Sequence, residues 1–255
     1  MSMHKNEHIK KLPEEVENCV ILYSNSDSYG VFSKPGETTP YGDVYGKFIA
    51  DQVGSKFINR GRSGSSNSRI LRTSMRDLIR LRRENPNKKI QALISLATTY
   101  RSESWTEENI HPEDQDGHFK SFQASSGFTF WTPEQKDFAK HWVAQYDNEA
   151  EQTNLLWQVL MFTNTLKSYN IDYLVWWGSP IGVVKPIEYT NPFIEDFYQE
   201  FKKDKNILSF EDFGFCSWCL DRGFVPFDKD VFGEYGHHGP EAHKAFADWL
   251  LENYL

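Results

Sequence analysis

Short apolar runs recur along this chain, and each is followed by a stretch whose apolar residues fall at helical spacing. Cys19-Val20-Ile21-Leu22-Tyr23 is five apolar residues ending in small, turn-prone ones, the pattern of a buried strand running out into a loop. Residues 41–53 place Val44, Phe48, Ile49 and Val53 on one helical face, with Gly54 as the stop. A short strand over 56–59, a helix over 68–83 and a third apolar run over 90–97 repeat the unit. Thr132-Pro133-Glu134-Gln135 then opens a helical region with a capping residue, proline at the first helical position and glutamine at the third. That region reaches residue 169, with a break expected at Asp147-Asn148. A fourth strand (173–177), a helix (192–203), a fifth short strand (207–210) and a last helix from about Pro240 complete the chain. Strands alternating with helices predict a mainly parallel sheet covered on both faces. With no internal repeat and no linker, the expectation is a single α/β domain over residues 1–255.

Residues 101–131 break the rhythm. They mix Glu103, Glu107, Glu108, Glu113, Asp114 and Asp116 with Trp105, Phe119, Phe122 and Phe128. A segment this long without periodicity inside a compact domain is characteristically a lid or binding loop. It is expected to be inserted over the mouth of a site, where its aromatics suit a sugar ring. The net charge of −8 argues against a nucleic-acid partner, which needs a basic face. No apolar run approaches the roughly 18 residues of a membrane span. The polar first residues carry no signal-peptide core, which leads to an expected cytoplasmic location. Three cysteines cannot all pair, consistent with a reducing compartment. Cys216 and Cys219 lack the two further ligands of a zinc site and are expected to be packing residues.

In an open α/β sheet the loops at the carboxyl ends of the strands line the ligand crevice. Three such loops stand out: Ser24-Asn25-Ser26-Asp27-Ser28-Tyr29-Gly30, the Gly/Ser-rich 61–67, and 97–101. Before the last helix, Glu234-Tyr235-Gly236-His237-His238 adds an acid and histidines. In these four blocks the sequence resembles the SGNH hydrolases, also called the GDSL esterase/lipase superfamily, over nearly its whole length. The family's Gly-Asp-Ser block aligns Ser26 with the nucleophile, with Ser28 as the second choice. Asn59-Arg60-Gly61-Arg62-Ser63-Gly64-Ser65-Ser66-Asn67 matches the second block and puts Gly64 at the oxyanion-hole glycine. Thr98 stands where the third block has its asparagine, and Glu234 and His237 stand where the fourth has aspartate and histidine. The resemblance implies a flavodoxin-like three-layer sandwich with a five-stranded parallel sheet in the order 2-1-3-4-5. Within the superfamily the chain looks most like divergent, phage-encoded members, which would put it in a host cytoplasm or a virion.

The resemblance assigns Ser26 as nucleophile, His237 as base and Glu234 as its orienter. Gly64 and Thr98 become oxyanion donors, and Asn25, Ser28, Asn67 and Trp105 become substrate contacts. The chemistry suits these residue types: a serine hydroxyl attacks only when a nearby base takes its proton, and neutral histidine does so near pH 7. Four substitutions depart from the family pattern: Ser24 and Asn25 for Gly-Asp, Thr98 for asparagine and Glu234 for aspartate. A glutamate can orient a histidine, and a threonine hydroxyl can donate one hydrogen bond. Gly64 equally suits a turn that needs positive φ, and His237, His238 and His243 with Glu241 suit capping and packing or a metal. No cofactor is called for. The expected substrate is an ester, either an O-acetyl group on a glycan or a small acyl ester. The alternative is a non-catalytic binding or virion-associated module that kept the fold.

Overall fold

The computed structural model describes residues 18–24, 44–61, 64–105, 119–123, 133–178, 192–208, 214–227 and 236–255. Its centre is a parallel sheet of β1 (Cys19–Tyr23), β2 (Lys56–Asn59), β3 (Ile90–Leu96) and β6 (Asp172–Trp177), in the order β2-β1-β3-β6. The register runs Ile21 against Ile58 and Ala92, and Ile94 against Val175. Beyond β6, Ile207 and Gly214 make isolated parallel bridges to Val175 and Trp177. The fifth sheet position expected over 207–210 is therefore marked by two single bridges, and residues 209–213 lie outside the described ones. The order of the first four strands is the flavodoxin-like one. Its chain path reverses between β1 and β3, which places the ligand crevice of such sheets between their carboxyl ends.

Every residue of β1 is buried because both faces of the sheet are covered. Cys19, Ile21 and Tyr23 pack with one cluster, built from α2 (Asn67–Glu84), α4 (Asn148–Ser168) and α5 (Pro192–Lys202). Val20 and Leu22 pack with the other, built from α1 (Tyr45–Gln52), α6 (Phe215–Asp221) and α7 (Pro240–Asn253). The period-two alternation of the strand thus divides one apolar run between two cores. Gly46 lets α1 approach closely: a Cβ there would lie 2.7 Å from the Phe57 ring and 3.3 Å from Leu22.

Local signals set most helix bounds. Ser66 caps α2, its hydroxyl accepting from the Arg69 N–H at 3.1 Å. The expected break at Asp147-Asn148 is a junction between α3 (Pro133–Gln145) and α4, where the Asp147 carboxylate accepts from the Ala150 N–H at 2.8 Å. Two findings depart from the sequence reading. Residues 101–131 are not wholly irregular: Arg101–Trp105 (β4) and Phe119–Gln123 (β5) pair antiparallel. Phe215–Asp221 forms a helix that the short, mixed sequence FCSWCLD did not announce. It buries Cys216 and Cys219 as free thiols among apolar neighbours.

Candidate active site at the carboxyl edge

The loops that leave the sheet at its carboxyl edge are tied to one another by main-chain and amide bonds. Beyond β2, the Arg60 N–H donates to the Leu22 carbonyl at 2.7 Å, carrying the ladder one step past the strand. The Asn59 side-chain oxygen accepts from the Gly61 N–H at 2.8 Å and turns the chain. Gly64 follows at φ +76°, a left-handed conformation that glycine adopts without a Cβ penalty. Asn67, the first residue of α2, closes the loop onto β3. Its Oδ1 accepts from the Ala97 N–H at 2.7 Å and its Nδ2 donates to the Ala97 carbonyl at 2.9 Å. One amide side chain thereby supplies Ala97 with the pair of bonds a neighbouring strand would give. Thr98 is buried directly beside this clamp, and Ser24 is buried at the end of β1.

The β4–β5 hairpin leaves the same edge, since β4 begins three residues after Thr98. It is fastened to α2 by an ion pair between Arg72 and the buried Glu103 carboxylate, 2.6 Å apart. Arg101 reaches the Ser65 carbonyl at 3.5 Å. Tyr146 meets the Thr99 hydroxyl at 2.9 Å and lies against the rings of Tyr100 and Trp142. Partial burial raises the Tyr146 phenol above its ordinary range, so it stays neutral. A shallow groove of about 440 Å³ runs along the flank of α2 and α4, past Ser68, Met75, Trp157 and Met161.

The segment before α7 arrives on the other side of the sheet. His237 is half-buried and His238 fully so. The His237 carbonyl accepts from the Phe227 N–H at 3.0 Å, and the two rings stack 6.1 Å apart. His243, in the second turn of α7, is fully buried. Its Nδ1 accepts from the Tyr45 N–H at 3.4 Å, and its ring stacks on Tyr45 at 5.3 Å. Tyr45 is the first residue of α1 and touches Trp176, near the carboxyl end of β6. Those contacts fix His243 at the carboxyl edge. Burial, then the nearby His238, pushes the His243 pKa down from 6.5 to about 3; the His238 main chain draws it upward and His237 adds a smaller downward push. His243 is a neutral imidazole at physiological pH, with Nδ1 as acceptor.

Of the residues singled out from sequence, Gly64, Asn67 and Thr98 lie on this edge, while His237 meets Phe227 on the other side of the sheet. Asn25, Ser26, Ser28 and Glu234 lie outside the described residues, as does the side chain of Trp105. The Asn67 amide, expected to meet substrate, is engaged with Ala97 on both sides. Among the described residues no three His, Cys, Asp or Glu side chains are grouped to hold a metal ion. No described helix is long and apolar enough to cross a membrane. Of the two readings the sequence left open for His238 and His243, capping and packing at the last helix is the one their burial bears out.

No family model matches the sequence, and no curated protein matches it in sequence either. Solved structures do match in fold. One is a member of the lipolytic protein G-D-S-L family from Veillonella parvula, with 12% identity, a TM-score of 0.46, and 92% of this chain and 97% of that one covered. Another is an acetyl xylan esterase, with 12% identity, a TM-score of 0.41, and 93% and 100% covered. A third is a psychrotrophic esterase from Pseudoalteromonas, with 12% identity, a TM-score of 0.40, and 93% and 96% covered. At such identities the likeness is one of chain path and carries no chemistry across. The assignment to a flavodoxin-like sheet stands on the strand order and parallel register themselves.

Proposed function

We propose that this chain is an SGNH-type serine hydrolase that cleaves an ester, either an O-acetyl group on a glycan or a small acyl ester. The observation that carries this reading is one of placement. The ends of β1 and β3 flank the crevice where the chain path reverses, Gly64 and Thr98 lie just past β2 and β3, and His243 packs from the other face onto Tyr45 at the start of α1. In the proposed reaction the Ser26 hydroxyl attacks the ester carbonyl while His237 accepts its proton. Glu234, three residues before His237, orients the ring through its other nitrogen. The tetrahedral oxyanion is met by the N–H groups of Ser26 and Gly64 and by the Thr98 hydroxyl. His237 then returns the proton to the leaving alcohol, and water repeats the sequence on the acyl-serine.

The test is hydrolysis of p-nitrophenyl acetate by the wild type, Ser26→Ala and His237→Ala. Turnover by the wild type that both substitutions abolish supports the hydrolase. Undiminished turnover in His237→Ala would remove the assignment and bring Ser28 and His243 forward. No turnover in the wild type would favour a binding module on the same fold.

A further inference from the structure

The last helix opens with a residue pair whose places are usually taken by two apolar side chains. With Gly239 at the N-cap and Pro240 at the first helical position, His238 is the residue before the cap and His243 is the fourth helical residue. A hydrophobic contact between these two positions, the hydrophobic staple, fixes the angle at which a chain enters a helix. Here both are buried histidines, and both meet one ring. Phe215 lies 5.8 Å from His238, edge-on, and 4.6 Å from His243. His243 is further fixed by its contacts with Tyr45 at the start of α1. His237, one residue before this pair, is anchored separately through its carbonyl to the Phe227 N–H.

We propose that His238 and His243 are positioning residues, a histidine staple closed over Phe215 and Tyr45 that sets where the His237 ring stands. The inference rests on the reading of His237 as the general base. The staple joins three elements that are distant in sequence: α1 through Tyr45, α6 through Phe215 and α7 itself. A shift of any of them is passed to His237 by main-chain connectivity over one residue. An apolar staple would hold the helix entry alone. The His243 Nδ1 acceptor also ties that entry to the Tyr45 N–H, one of the donors that a helix start leaves without an intrahelical partner.

The experiment compares His238→Ala, His243→Ala and His238→Leu in the full chain. Two readouts are taken on protein shown to melt cooperatively: the kcat and KM for p-nitrophenyl acetate, and the nuclear Overhauser contact between the His237 and Phe227 rings. Both alanine variants are expected to lose that contact and to drop kcat about ten- to a hundredfold. KM should stay within about twofold, because ground-state binding is not what the staple serves. His238→Leu, which keeps an apolar partner at the same place, should restore both. Folded alanine variants with unchanged contact and kcat would overturn the proposal, as would failure of His238→Leu to restore the contact. If His243→Ala does not fold, the two His238 variants decide by the same criteria. If the wild type hydrolyses nothing, the ring contact still decides on the staple, and only the hydrolase reading fails.

Discussion

Asn67 combines an acceptor and donors on one short side chain, and both are spent on Ala97. Asn67→Ala would leave the Ala97 N–H and C=O buried without these partners, at about 1–3 kcal/mol. The loss should appear as a lower urea midpoint. If Thr98 donates to the oxyanion, kcat should fall too, because the clamp holds the main chain beside it. Gly64 poses the opposite case. At φ +76° a Cβ would meet nothing within 4 Å, so Gly64→Ala is opposed by backbone conformation alone. The expected cost is about 1–2 kcal/mol, read from the same unfolding curves. A markedly larger loss of turnover than of stability would point to the Gly64 N–H as an oxyanion donor. In the acid of the proposed triad, Glu234→Ala should leave a measurable remainder of activity where His237→Ala leaves none, as expected of an orienting rather than a proton-accepting group.

Elements here are held in register by a few polar contacts beneath the apolar ones. Asp77 on α2 pairs with Arg60 just past β2 at 3.0 Å, with both side chains nearly fully buried, and Arg76 adds a second contact at 3.1 Å. Asp77 is the buried carboxylate that both guanidinium groups share. Asp77→Ala should therefore cost about 3–5 kcal/mol in a denaturant titration, far more than an exposed pair such as Lys244–Asp248 on α7. The junction between α3 and α4 shows how a small signal fixes an element. Asp147 satisfies the Ala150 N–H, and Asp147→Ala should lower stability by about 1 kcal/mol without altering activity. These bounds were legible because capping works over three residues. The β4–β5 hairpin was not, since its pairing joins residues up to 22 positions apart, such as Arg101 with Gln123. Its tie to α2 through Arg72 and Glu103 spans 31 positions.

For the whole molecule, His243 links proton uptake to folding. Its folded pKa of about 3 lies below the ordinary 6.5, because burial disfavours the charged ring. Below pH 6.5 the unfolded chain takes up a proton at this residue that the folded chain refuses. The contribution is fully present above about 6.5 and is lost as pH falls toward about 3. By pH 5 the loss amounts to about 2 kcal/mol. The urea midpoint should fall between pH 7.5 and 5, and His243→Phe, which keeps a ring against Tyr45 and Phe215, should flatten that slope. A slope unchanged in His243→Phe would assign it to other groups.

The sequence alone determined the four strands of the central sheet, the helices that alternate with them, and that this sheet is parallel with both faces covered. Those properties follow from periodicity, caps and turn residues, which act over a few positions and survive without knowledge of the rest of the chain. The tertiary structure decided how the residues at that edge are used. It consumed the Asn67 amide on Ala97, drew a hairpin from an irregular-looking segment, and separated His237, half-buried beside Phe227, from His238 and His243, which are buried in the packing of the last helix. In the sequence these histidines sit within seven residues and look alike. The environment of His243 is set by groups distant in sequence, Tyr45 from 198 positions away and Phe215 from another helix, and only packing brings such groups to one ring.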